Sequence, residues 1–107
     1  MERALAQAFD GFSPSATLLM YGADHAGALQ LAGIPWHRVI SEAEHPDWEW
    51  ALLDPAKHAD YIVACEGDPV WAAVRPHQAE LTKLLSVSVP GQSRCAIYKP
   101  KRPGDNI

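Results

Sequence analysis

Six residues of acid–base or metal-ligating type stand where apolar runs of this sequence end. Asp24 and His25 follow ATLLMYG (16–22), Ser41 and Glu42 close WHRVIS (36–41), and Glu66 and Asp68 close YIVACEG (61–67). If those runs are strands of one parallel sheet, the residues line the rim at the strands' carboxyl ends, where open α/β sheets bind ligands. A carboxylate and imidazole cluster of this kind binds a metal or runs acid–base chemistry near neutral pH. The plainer reading gives Asp24 and Asp68 to helix N-caps and Glu42 to solvent, because loops at strand ends are polar in any case. The sequence therefore supports Asp24, His25, Glu42, Glu66 and Asp68 as a candidate ligand or partner rim, with no residue assigned as catalytic.

Other chemistries lack their spacing. The five histidines, His25, His37, His45, His58 and His77, form no HxH, HExxH or i, i+4 pair, so no metal is expected. Gly22-Ala23-Asp24-His25-Ala26-Gly27 follows a strand and opens a helix as a phosphate loop does. It has neither GxGxxG nor a GK[ST] ending, and Asp24 would repel an anion; no cofactor is expected. No Ser or Cys sits in a nucleophile elbow, and Cys65 and Cys95 lack CxxC spacing. Trp48 and Trp50, two apart on a helix, cannot share a face. One of them is expected to be exposed, either partly covered by a neighbouring loop, which is the plainer reading, or as a contact for a partner, a sugar or a headgroup layer.

The elements that would position these residues follow from apolar spacing and punctuation. Residues 2–9 (ERALAQAF) carry Leu5, Ala8 and Phe9 at helical spacing, a lead-in helix within residues 1–15. The run 16–22 reads as a strand buried on both faces, followed by a helix that Asp24 caps and Gly33 ends. A shorter strand at 36–41 precedes a helix behind Pro46. Asp54-Pro55 and Asp68-Pro69 each read as an N-cap followed by Pro at the first helical position. Between them lies a third strand, 61–67. The helix from Val70 is expected to split at Pro76 and resume over about 77–84. Pro90-Gly91 suits the centre of a type II turn, giving a C-terminal hairpin, and 100–107 reads as a flexible polar tail. The fold expected is α/β, three-layer and Rossmann-like, with a mostly parallel sheet of about four to five strands, a C-terminal β-hairpin and one domain over 16–99.

Composition narrows the function classes. The net charge of −4 supplies no clustered basic footprint, which argues against nucleic acid as a partner. No apolar run approaches the roughly 18 to 20 residues that span a bilayer, and the first residues have no signal-peptide core, so a soluble chain without a span is expected. Two cysteines are too few for a disulfide scaffold. Both lie in apolar runs, where Cys serves as a small buried hydrophobe, and the sequence alone fixes neither a bridge nor a compartment.

Certain short pieces recur in order along residues 33–99: Gly33-Ile34-Pro35, PDWEWALLDPAKHADYIVA (46–64) with Trp48, Glu66-Gly67-Asp68-Pro69-Val70, and Pro90-Gly91-Gln92 before Ile97-Tyr98. Through them the chain resembles the soluble C-terminal region of bacterial multi-spanning glycosyltransferases related to the dolichyl-phosphate-mannose protein mannosyltransferases. The resemblance implies a small α/β domain on the extracytoplasmic, periplasmic face of the inner membrane, partnered by the membrane-embedded part of the same protein. In that family the acidic catalytic residues and the lipid-linked sugar site belong mainly to the membrane part, so no catalytic residue carries over. The expected function is then a non-catalytic accessory domain that positions acceptor substrate or a partner. The alternatives are a free-standing small α/β enzyme or ligand-binding protein, cytoplasmic, with His25 as base and Asp24 or Glu66 orienting it, and an oligomerisation module pairing through the hairpin edge.

Overall fold

The computed structural model describes residues 2–13, 15–42 and 46–101, the side chains of residues 23 and 24 excepted. His45 and residues 102–107 of the expected 100–107 tail lie outside the described residues, whereas Pro100 ends the last strand and the Lys101 N–H donates to the Glu80 carbonyl. Helix α1 (Glu2–Phe9) turns Leu5, Ala6 and Phe9 inward. Strand β1 (Leu18–Met20) is wholly buried and shorter than the apolar run containing it. Helix α2 (Gly22–Ala32) ends on Gly33, whose N–H donates to the Gln30 carbonyl, while the Ile34 N–H donates to that of Leu29. A 3-10 turn over Trp36–Arg38 occupies half of the expected second strand, leaving β2 as Val39–Ile40. Then come α3 (Trp48–Leu53), α4 (Pro55–His58), β3 (Tyr61–Cys65), α5 (Pro69–Val74), β4 (Leu81–Val87) and β5 (Cys95–Pro100).

These strands form one sheet in the order β2-β1-β3-β5-β4. The pairs β1/β2 and β1/β3 are parallel, whereas β3/β5 and β4/β5 are antiparallel. The sheet is therefore mixed, not mostly parallel, and the fold is a mixed α/β one rather than a clear three-layer Rossmann arrangement. The C-terminal hairpin is present, with Gly91 at φ 82 and the Gln92 N–H donating to the Val89 carbonyl. A positive φ at the third residue of a type II turn is the conformation that only Gly adopts without cost. Two local expectations fail beside it. Pro76 is followed not by a resumed helix but by a 3-10 stretch, Arg75–Glu80, and then directly by β4. Asp24 is the third residue of α2 and not its cap, which is Tyr21.

Side chains alternate across the strands, so each face of the sheet has its own apolar cluster. Leu18, Met20, Val63, Cys65, Cys95 and Ile97 pack against Leu5 and Phe9 of α1 and Leu29 of α2. Leu19, Ile62, Ala64 and Ala96 pack on the other face against Ala51 of α3 and Val70 and Val74 of α5. The segment expected as a lead-in thus covers part of the core. Among the described residues, no helix is long and apolar enough to cross a membrane.

Candidate functional site

The carboxyl ends of β1, β2 and β3 form one rim, and β5, running the other way, starts there. The chain turns from β1 toward β2 on one side and reaches β3 on the other, so the reversal of strand order lies between β1 and β3. Three of the rim's carboxylates, those of Glu42, Glu66 and Asp68, are turned onto the protein's own backbone. Glu42 Oε1 accepts from the Gly22 N–H at 2.8 Å, placing a negative charge on an otherwise unpaired donor in the first turn of α2. Glu66 Oε1 accepts from the Arg94 N–H at 2.9 Å and lies 3.7 Å from Arg94 Nε, which clamps the open end of β3 and β5. Asp68 caps α5 as its sequence context requires: Oδ1 accepts from the Trp71 N–H at 2.7 Å and Oδ2 from the Cys65 N–H at 3.2 Å. Ser41 is buried. The side chain of Asp24 lies outside the described ones.

His25 is placed differently. It interrupts α2 with a non-helical backbone (φ −137, ψ 30). Its Nδ1 is 3.2 Å from Glu2 Oε1, and its Nε2 is 3.9 Å from Cys95 Sγ. Glu2, in the first turn of α1, reaches His25 because Gly27 lets the helices close: a Cβ at position 27 would lie 3.0 Å from Glu2 Cγ. The imidazole is only 14% exposed, the carboxylate 42%. The Glu2 carboxyl is held below its ordinary value of 4.5, chiefly by the hydrogen bond from His25 and next by one accepted from its own backbone N–H. A carboxyl with a lowered folded-state pKa contributes stability that is present above the unfolded value and lost as pH falls through the folded one. The stability difference between wild type and Glu2→Gln is therefore expected to narrow as urea midpoints are followed from pH 6 to below about 4. A pH-independent difference would mean that the carboxylate charge contributes nothing.

Cys65 and Cys95, expected as separate buried thiols or left open as a bridge, are joined in a disulfide. They are directly opposed in the β3/β5 ladder, with Cα atoms 4.0 Å apart. The bridge closes the rim on the α1/α2 side, beneath His25. Sequence reasoning missed both the bridge and Glu2. The signal for the bridge was the register of the hairpin: if the last strand pairs with 61–65, the two cysteines meet. For Glu2, 23 residues from His25, no local signal exists.

The tryptophans separate as their spacing requires. Trp48 is half-buried, its ring centroid 6.4 Å from that of Tyr21, whereas Trp50 is 63% exposed and shares its side of α3 with Leu53, 67% exposed. Open hollows among the described residues lie elsewhere. One, about 290 Å³, sits at the opposite strand ends between Ser15, Asp60 and Lys99. Another, about 370 Å³, lies on the β4/β5 face beside Trp71 and Tyr98. Two three-residue groups have metal-ligand chemistry among the described residues: His25 with Cys65 and Cys95, and Asp54 with His77 and Glu80. No protein-family model matches the chain. No curated protein and no solved structure matches it either.

Proposed function

We propose that this chain is a non-catalytic extracytoplasmic accessory domain of a membrane glycosyltransferase that uses lipid-linked sugars, positioning acceptor or partner. The observation that carries this reading beyond the resemblance is the Cys65–Cys95 bridge, since such bonds persist in oxidising compartments and are rare in reducing ones. Two further features agree with it. Glu42, Glu66 and Asp68 are engaged by backbone donors, which suits a scaffold better than a catalytic rim. Trp50 and Leu53 give α3 an exposed apolar face of the kind that contacts a partner.

The test is to blot fractionated cells of the source organism for the native polypeptide, after alkylation with and without prior reduction. A band well above 11.7 kDa in the membrane fraction, alkylated at Cys65 and Cys95 only after reduction, is the expected result. A soluble band near 11.7 kDa with both thiols free would overturn the reading. One observation favours the second reading, a free-standing α/β enzyme or ligand-binding protein with His25 as base: the imidazole does have an orienting carboxylate. That carboxylate is Glu2, while Glu66 is engaged with Arg94.

A further inference from the structure

The bridge and the imidazole meet on the α1/α2 side of the rim, and their chemistry depends on the oxidation state of the sulfurs. With Nδ1 held by Glu2, the imidazole presents Nε2 to Cys95, and His25, Cys65 and Cys95 each offer a donor atom within 4.8 Å of the others. A tetrahedral zinc ion with Zn–S of about 2.3 Å and Zn–N of about 2.0 Å requires N···S separations of about 3.5 Å and S···S of about 3.8 Å. The Nε2 to Cys95 Sγ distance of 3.9 Å already meets the first requirement within a few tenths of an ångström. The second is met once the S–S bond opens and the two directly opposed side chains rotate apart. Two thiolates and an imidazole are the ligand chemistry that zinc takes. A carboxylate on the far nitrogen is the outer partner that fixes tautomer and ring orientation in zinc-binding histidines, and Glu2 already stands there.

We propose that the reduced chain binds a zinc ion through Cys65 Sγ, Cys95 Sγ and His25 Nε2, with Glu2 holding the imidazole, and that the disulfide is the oxidised, metal-free state of the same site. The balance is simple. A dithiol reductant gives two electrons and two protons to the bridge, and its own sulfurs close into a disulfide. Zinc then displaces the two thiol protons to solvent and takes the Nε2 lone pair, while the Nδ1 proton stays between His25 and Glu2. Three protein ligands leave the fourth position to water or an exogenous donor, on the side where Glu2 and His25 reach solvent. The inference does not rest on the accessory-domain reading, because it concerns only which ligands this chain offers when reduced.

The full chain, reduced anaerobically with a phosphine and freed of it, is titrated with Co²⁺ as a spectroscopic probe and then with Zn²⁺. The expected result is a thiolate-to-cobalt charge-transfer band and intense tetrahedral visible bands, saturating at equimolar metal and bleached by zinc. The oxidised chain shows neither. Glu2→Gln keeps the bands but weakens binding by about 10- to 100-fold, and His25→Ala changes the band pattern as well as the affinity. Should reduction unfold the apo chain, restoration of the folded circular dichroism by equimolar zinc supports the site, and a chain still unfolded at saturating zinc overturns it. Equal metal affinity in the oxidised chain would place the ion elsewhere, at Asp54, His77 and Glu80, and would overturn it too.

Discussion

Cleaving the Cys65–Cys95 bridge lowers the melting temperature of the full chain by roughly 10 to 20 °C, with chelator present so that no metal compensates. The bridge spans 30 residues, from the end of β3 across α5 and the whole of β4 to the start of β5. In the loop-closure account, freeing a segment of that length restores about 3 to 4 kcal/mol of conformational entropy to the unfolded chain. The segment's own packing gives only partial insurance, because β4 is an edge strand whose Lys83, Leu84, Leu85 and Ser86 are exposed and whose pairing with β5 is irregular between Lys83 and Leu85. Calorimetry with and without reductant, beside the double replacement of Cys65 and Cys95 by alanine, checks the size. The double variant is expected to melt at or below the reduced wild type, since it also loses two buried sulfurs. An unchanged melting temperature after complete cleavage, verified by alkylation, would mean that the unfolded chain is already compact in this region.

The bridge also shows where sequence reading stops. Local signals act over a few residues, and they performed well: Asp68 before Pro69 is a working N-cap, Pro90-Gly91 makes its turn, Gly33 ends α2, and the Trp48/Trp50 spacing separates a half-buried ring from an exposed one. What remained hidden depends on which strand lies beside which. The terminal hairpin was legible as a hairpin, but it docks through its second strand, β5, against β3, and that choice both mixes the sheet and brings Cys95 to Cys65. A hairpin's two strands have similar apolar content here, so their sequences alone do not say which becomes the edge. The residues from Leu81 to Leu84 failed for a related reason. Leu81, Leu84 and Leu85 have helical spacing, yet the pairing of β4 with β5 overrides that local preference. The rim was anticipated as a place, because topology puts strand ends together. Its working partners were not, since Glu2 comes from a helix read as peripheral and Glu42 and Glu66 face backbone donors that no side-chain pattern reveals.

Replacing Asp68 with alanine is expected to cost about 2 to 4 kcal/mol, the largest effect of any single change at the rim. Asp68 is 6% exposed as a residue and its carboxylate has two identified backbone donors, so both lose their acceptor at once. Losing an N-cap costs about 0.5 to 2 kcal/mol, and leaving a second buried N–H without an acceptor adds about 1 to 3. Asn divides the two contributions, because its single oxygen serves the Trp71 N–H while its NH₂ cannot accept from Cys65. Asp68→Asn is therefore expected to retain about half of the loss, measured as a shift in the urea midpoint at constant slope. If Asp68→Ala instead leaves the stability within about 0.5 kcal/mol of wild type, the backbone bonds contribute nothing to it. Such a result would return Asp68 to the set of ligand-binding candidates. A full loss in Ala with partial recovery in Asn makes it part of the scaffold that holds Cys65 opposite Cys95 and places both beneath His25.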